Sequence, residues 1–290
     1  KETRKDTTNV QQSTEGNSFR FAEISERVSQ SRDDNIYPID PNNPGVLLII
    51  NQEYFYTETD PEYQYLLHPN NNIIKLETRD GTNKDKIKLQ SVFQKFGFKI
   101  VVAENLPHYD LLDTVRKETE KITTESSFIV SILSHGDNGI IYGANSCKFD
   151  VSQIQSIMCR KNKLLQGKPK VLILQSCQGT QCQQIDEADE YATDGPMRVL
   201  PPTVDLLIFW ATVPGYAAVR NVKKGSWLIQ TLCDEIEGAT PRNHLLDICT
   251  RVTNVVTTKK WREKTRIIVM TPMVKSTFRK SFYLPPMRYS

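Results

Sequence analysis

Five short runs of apolar residues punctuate the chain, and they constrain its fold more than any other feature: Gly45–Ile50, Lys99–Val102, Phe128–Leu133, Val171–Leu174 and Leu206–Trp210. A strand wet on one face alternates apolar and polar residues, whereas an unbroken run of this length marks a strand covered on both faces. Helical periods separate the runs. Leu89, Val92, Phe93 and Phe96 follow the i, i+3, i+4, i+7 spacing of one helix face. Leu111, Val115 and Ile122 mark a second helix, and Val151, Ile154 and Met158 a third, with Asp150 in position to cap it. Ile229, Leu232, Cys233 and Ile236 form another face, and Leu245, Ile248, Cys249, Val252 and Val256 a last one. For that helix Thr240 is the expected N-cap, with Pro241 in the first turn. Phe282–Leu284 is expected as a final edge strand. Alternating strands and helices predict an α/β fold, a mostly parallel sheet with helices on both faces. Ligands of such sheets bind beyond the carboxyl ends of the strands.

Two stretches break the alternation. Residues 1–44 are polar and end in an Asp/Asn/Pro-rich segment, the composition of a disordered or loosely docked leader. Residues 176–204 hold Gln, Asp, Glu, Gly and several prolines without an apolar period, the composition of a long functional loop. At 290 residues the rest is long enough to bury a full core.

A net charge of +3 gives no reason to expect nucleic acid or a membrane surface as partner. No apolar run approaches the roughly 18 residues of a membrane span, and the first residues lack the apolar core of a secretory signal. The six cysteines are Cys147, Cys159, Cys177, Cys182, Cys233 and Cys249. A chain of this size needs no disulfide staples, so they are read as reduced thiols of a cytoplasmic protein. Cys177 and Cys182 have no second ligand pair at zinc spacing, and no metal is expected.

Two residues stand where the fold class puts its ligands. His135 follows the strand ending at Leu133, and Cys177 follows the strand ending at Leu174. A thiol becomes a nucleophile when a nearby imidazole draws it toward thiolate and can protonate a departing amine. Gly136 lets its backbone N–H approach a substrate without a side chain intervening. Gln175-Ser-Cys-Gln-Gly179 sets Cys177 in a glycine-terminated turn, 42 residues after His135. His68, His108 and His244 show no such context and are read as ordinary surface residues.

Gln175-Ser-Cys-Gln-Gly179 resembles the active-site pentapeptide of the caspases. Leu133-Ser-His-Gly-Asp137, followed by Gly139-Ile-Ile-Tyr-Gly143, resembles their histidine segment. Thr78–Thr82, Gly167–Lys170, Arg220-Asn221 and Gly225-Ser-Trp227 follow in caspase order. Within the family the chain is most similar to initiator caspases of the death-effector-domain type, including the insect immune-signalling member.

The resemblance implies a caspase-like three-layer sandwich around a six-stranded sheet. Residues 45–194 would be its large catalytic subunit and 195–290 its small one. It implies a cysteine endopeptidase cutting protein substrates after aspartate, with Cys177 as nucleophile, His135 as proton shuttle, and the N–H groups of Gly136 and Cys177 as oxyanion hole. Arg79, Gln175 and Arg220 would line the aspartate pocket, and Val219 and Trp227 would border the pockets for residues further upstream. Ala217, Ala218 and Val219 stand where many caspases carry a serine and an aromatic, and Ser176 where alanine is usual. The acidic run before Gly195 offers a processing site after Asp194, with Asp189 as second choice. A homodimer through the small subunit, and adaptor proteins acting through a leader beyond this chain, are the implied partners. No cofactor is implied. A rival expectation is a catalytically weak or inactive caspase-like regulatory scaffold.

Overall fold

The computed structural model describes residues 34–67, 76–181 and 203–288. Its centre is a six-stranded sheet built from β1 (Val46–Asn51), β2 (Lys99–Glu104), β3 (Phe128–Leu133), β7 (Lys170–Gln175), β8 (Leu206–Trp210) and β13 (Met273–Ser276), in the order β13-β8-β7-β3-β1-β2. Every pairing is parallel except β13 with β8. Smaller sheets hold β4 (Gly136–Asp137) with β5 (Ile140–Tyr142) and β6 (Lys148–Asp150), β9 (Arg220–Asn221) with β10 (Gly225–Ser226), and β11 (Trp261–Glu263) with β12 (Arg266–Ile268).

The unbroken apolar runs behave as both-face burial requires. Every residue of β1, β3, β7 and β8 is buried. Because successive side chains leave a strand on opposite faces, each run feeds two cores. Leu47, Ile49, Ile129, Ile173 and Phe209 face α1 (Thr82–Lys95), α4 (Trp227–Glu237) and α5 (Leu245–Thr258). Leu48, Ile50, Val130, Leu172 and Ile208 face α2 (His108–Lys121) and α3 (Val151–Arg160). Each such side chain contributes about 1.5–3 kcal/mol on burial. The chain leaves β1 toward β2 on one side and returns to β3 on the other. This change of direction opens a crevice at the carboxyl ends of β1 and β3.

Several expectations are corrected. The last strand is β13, not Phe282–Leu284; Phe282 instead inserts into the core, 1% exposed. Thr240 and Pro241 form a turn, with the Thr240 N–H and hydroxyl both donating to Asn243 Oδ1, and α5 begins at Leu245. Its N-cap is His244, whose Nδ1 accepts from the Asp247 N–H while the Asp247 carboxylate accepts from the His244 N–H. Asp150 precedes α3 but makes no side-chain cap bond. His108 is no surface residue: it is 6% exposed, hydrogen-bonded through Nδ1 to Asn145 Nδ2 and packed against Tyr63 and Tyr109. His68 lies outside the described residues. Cys233 and Cys249 are buried free thiols, as their helix faces require.

Residues 34–44, read as the end of the leader, are packed onto the domain. The Tyr37 N–H donates to Ser281 O at 3.0 Å, and its hydroxyl donates to Asp205 Oδ1 at 2.7 Å. Asp205, 2% exposed, also receives Arg279 through Nε at 2.9 Å and Nη2 at 2.6 Å. Tyr37→Ala is expected to cost about 3 kcal/mol, the scale of an aromatic deleted from a core, read as a lower urea midpoint with unchanged slope.

Candidate active site

The site begins with the register of two strands. β3 and β7 pair in parallel so that Leu133 stands beside Gln175, and the Ser134 N–H donates to Gln175 O at 3.2 Å. Two residues beyond that pair lie His135 on one strand and Cys177 on the other. Gly136 closes the gap between them. A Cβ there would stand 2.8 Å from Ser176 Cβ and 2.9 Å from Cys177 O, so no other residue allows the two backbones this approach. Ser176, buried behind the nucleophile, keeps an Oγ with no hydrogen-bond partner among the described residues.

The turn carrying Cys177 is sewn to the segment after β8. The Gln178 N–H donates to Tyr216 O at 2.9 Å, Gln181 N–H to Gly215 O at 3.2 Å, and Ala217 N–H to Gln181 O at 2.7 Å. Cys177 Sγ accepts the Ala218 N–H at 3.3 Å. The thiol is partly exposed and thus open to a substrate.

His135 Nε2 lies 2.8 Å from Glu77 O, and its ring packs on Phe55 with centroids 4.8 Å apart. A carbonyl oxygen only accepts, so Nε2 carries the hydrogen and Nδ1 is the free base. Burial pushes this imidazole down to about 4, the Glu77 carbonyl works against that shift, and the charges of Arg79 and Arg220 add to it. The ring is therefore neutral at pH 7.

The two arginines arrive from different layers. Arg79, 1% exposed and three residues before α1, donates through Nη1 to Gln52 O at 3.1 Å and Thr82 Oγ1 at 2.8 Å. Its N–H is fixed to Glu53 O at 2.8 Å, just beyond β1. Arg220 on β9 donates through Nε to Asp80 O at 2.9 Å. Among the described residues neither guanidinium sits in an ion pair. Burial, then the charge of Arg220, lowers Arg79 to about 9, and burial lowers Arg220 as well. Gln175, 2% exposed, holds its Oε1 without a partner among the described residues. The fold thus brings together a thiol, a neutral imidazole and two guanidinium groups that form no ion pair among the described residues.

Residues 44–283 match the caspase domain of the C14 peptidases. The chain belongs to the caspase family. It is 33% identical over 258 residues to Caspase-8 of Drosophila pseudoobscura pseudoobscura, an alignment covering 89% of the chain and 48% of that relative. Caspase-8 of Drosophila melanogaster is 34% identical over 244 residues, 84% of the chain and 48% of the relative. Caspase-3 of Mus musculus is 33% identical over 234 residues, 78% of the chain and 77% of the relative. The chain spans about half the length of the two Caspase-8 relatives. It carries a cysteine-type endopeptidase domain of the caspase family, and the six-stranded, mostly parallel sheet expected from the resemblance is the sheet found.

The other expected site residues divide. Val219 is 9% exposed and packs inward, its N–H donating to Met270 Sδ at 3.2 Å. Trp227 opens α4, its N–H donating to Val219 O at 3.3 Å, and is partly buried against the same core. Asp189 and Asp194 lie outside the described residues, as does the 194/195 boundary between the expected subunits.

Sequence reasoning missed two partners of the caspase site. One is the Glu77 carbonyl, a backbone group that no side chain advertises. The other is Asp85, fully buried, which accepts the Ser226 N–H at 2.8 Å, the Ser226 hydroxyl at 2.5 Å and Gln230 Nε2 at 2.8 Å. Burial pushes its carboxyl up, while the Ser226 and Gln230 bonds and the Arg79 charge hold it down. Its charge also opposes the lowering of both arginines. Three residues after Thr82 in an amphipathic helix, it reads in sequence as an ordinary first-turn acid.

Two outcomes follow from this geometry. Because burial favours the neutral ring, folded His135 binds its proton less tightly than the unfolded chain does. Its contribution to stability is therefore complete above the ordinary value of about 6.5 and is lost as pH falls from there toward about 4. An NMR titration of the imidazole should give a midpoint well below 6.5, and Arg220→Gln should raise it. Asp85→Ala leaves the donors of Ser226 and Gln230 unmatched and removes a buried carboxylate whose charge acts on Arg79 and Arg220. It should lower stability by about 3 kcal/mol in a urea melt of the Cys177→Ala protein.

Proposed function

We propose that this chain is a cysteine endopeptidase that cuts proteins after aspartate. The observation that carries it is the juxtaposition of the Cys177 thiol and the His135 imidazole, two residues past paired positions of β3 and β7, with guanidinium groups that have no ion-pair partner among the described residues. Two guanidinium groups without an ion-pair partner among the described residues suit a side-chain carboxylate, which planar guanidinium forks bind in register. Arg79, Gln175 and Arg220 form the pocket for the aspartate. Trp227, partly exposed at the start of α4, borders the groove upstream of it, with Val219 packed inward beneath.

The chemistry then runs in two stages. The Cys177 S–H proton passes to His135 Nδ1 as the Sγ–C bond forms, and the carbonyl oxygen takes up negative charge toward the N–H groups of Gly136 and Cys177. Each such donor is worth about 10²–10³ in rate. Imidazolium Nδ1–H then protonates the departing amine as the C–N bond breaks, leaving a thioester. Water, deprotonated by Nδ1, hydrolyses that thioester and returns the thiol. The depressed affinity of His135 for a proton fits this cycle, because a bound aspartate carboxylate cancels the field of both arginines as the imidazolium forms.

The similarity to Caspase-8 of two Drosophila species favours an initiator role in apoptosis or innate immune signalling, in the cytoplasm, with adaptor proteins recruited through a segment beyond this chain. Activation would combine dimerisation through the small subunit with cleavage after Asp194, or after Asp189, separating residues 45–194 from 195–290.

Fluorogenic peptides ending in Asp, Asn or Lys test this reading. Hydrogen bonds to charged groups are worth about 1.5–3 kcal/mol each. Asp should therefore exceed Asn by about two orders of magnitude in kcat/KM, with Lys uncut and Cys177→Ala silent on all three. Equal rates on Asp and Asn, or no turnover by a dimeric wild-type protein, would remove it.

A further inference from the structure

The net charge of the chain is nearly balanced, at +3 over 290 residues, but one exposed ribbon is not. The β11–β12 hairpin pairs Trp261 with Ile268, Arg262 with Ile267 and Glu263 with Arg266, and every residue from Lys260 to Ile267 is exposed. Lys260, Arg262, Lys264 and Arg266 set four cations against one carboxylate, Glu263. None of the four is in an ion pair among the described residues. Between them Trp261 and Ile267 remain 48% and 41% exposed. Such a ribbon offers charge and an indole platform to an extended acidic chain.

Its root lies beside the aspartate pocket. The strand leaving the hairpin reaches Met270, whose Sδ accepts the Val219 N–H at 3.2 Å, and Val219 immediately precedes Arg220. Lys264 at the tip is six residues before Met270, a reach of at most about 20 Å in extended chain. A matching acidic run exists in the same sequence. Asp186, Glu187, Asp189 and Glu190 precede Asp194 by four to eight residues, about 13–27 Å upstream in an extended peptide.

We propose that the β11–β12 hairpin is a docking surface for an acidic peptide segment lying four to eight residues upstream of the aspartate that is cut, and that its occupant is the run 186–190 of this chain's own linker. The proposal rests on the aspartate-directed protease reading. It adds a source of selectivity outside the pocket: the hairpin raises the encounter rate and holds the upstream charge, while Arg79 and Arg220 hold the cut residue. The same surface would favour other proteins whose cleavage site follows an acidic stretch.

The test compares two substrates and two readouts. The long peptide carries residues 183–197 with D186E and D189E, which keep the charge and leave Asp194 as its single aspartate; the short reporter carries residues 191–194 alone. Wild type should prefer the long peptide, and 0.5 M salt, on the order of several Debye lengths of extra screening across the hairpin, should erase that preference. The K260E/R262E/K264E/R266E protein should cut the short reporter at the wild-type rate but lose about tenfold on the long peptide, the scale of several exposed ion pairs. A long peptide with lysine at 186, 187, 189 and 190 should restore cutting by that variant. Equal loss on both substrates, or no loss on either, overturns the proposal.

Anisotropy of the labelled long peptide with Cys177→Ala protein gives an independent measure. Weaker binding by the charge-reversed hairpin supports the docking surface even if no peptide is cut, an outcome that would instead sink the protease reading. Unchanged peptide binding together with lost adsorption to phosphatidylserine vesicles would assign the hairpin to a membrane surface and end the proposal.

Discussion

The pairing of Leu133 with Gln175 is the constraint on which the site depends. His135 and Cys177 belong to separate segments of the chain, and the β3–β7 ladder brings those segments side by side. A register slip of one residue would turn one strand inside out relative to the other, because side chains alternate between faces. β3 and β7 are buried on both faces, so a slip would carry large apolar side chains into spaces shaped for their neighbours on each side. The rigidity of an apolar core is thereby transmitted to two polar residues just beyond it. Gly136 then sets how closely the two strand ends approach, since any side chain there would collide with Ser176 and Cys177.

Electrostatics depends on that frame. Arg79 is almost wholly buried and has no carboxylate partner among the described residues, an arrangement that folding alone disfavours. It persists because its guanidinium is hydrogen-bonded to Gln52 O and Thr82 Oγ1, and because Asp85 contributes negative charge from behind without forming an ion pair. The result is a positive field that Asp85 only partly compensates. The same field acts on His135, joining burial in holding its ring neutral. Under the proposed function, a substrate carboxylate beside the arginines would do two things at once: satisfy them and make an imidazolium easier to form. Selectivity and proton transfer would then be coupled through one local charge balance.

How much of this was legible in the sequence depends on whether a feature is carried by side chains or by backbone. β1, β3, β7 and β8 announce themselves as unbroken apolar runs, because both-face burial admits little else. β13 does not: Met273 and Val274 are half-buried and Lys275 and Ser276 exposed, the mixed composition of an edge strand, and the more apolar Phe282–Leu284 drew the assignment instead. Thr240-Pro241 had the chemistry of a helix start but closes a turn, because His244 and Asp247 cap each other four residues later. The site residues were recognisable through flanking motifs. The Glu77 carbonyl that fixes the tautomer of His135 was not, since every residue has a carbonyl. Nor was the burial of His108, which depends on Asn145 and two tyrosines brought in by the fold.

The connection between β7 and β8 joins these themes. Parallel neighbours need a crossover, and in sheets of this kind it is usually a helix. Here the crossover begins with Cys177 itself, is fixed through Gln181 to residues 215–217, and goes on to carry the acidic linker. β7 and β8 do not rely on that connection to stay together. Five registered pairs, Lys170–Leu206 through Leu174–Trp210, join them, and Ala211 N–H adds a bond to Leu174 O at 2.9 Å. Both strands are fully buried, so severing the linker would leave the apolar core and the strand ladder intact. The proposed cut in this crossover would therefore leave Cys177 held by β7 and by the bonds that join Gln178 and Gln181 to residues 215–217.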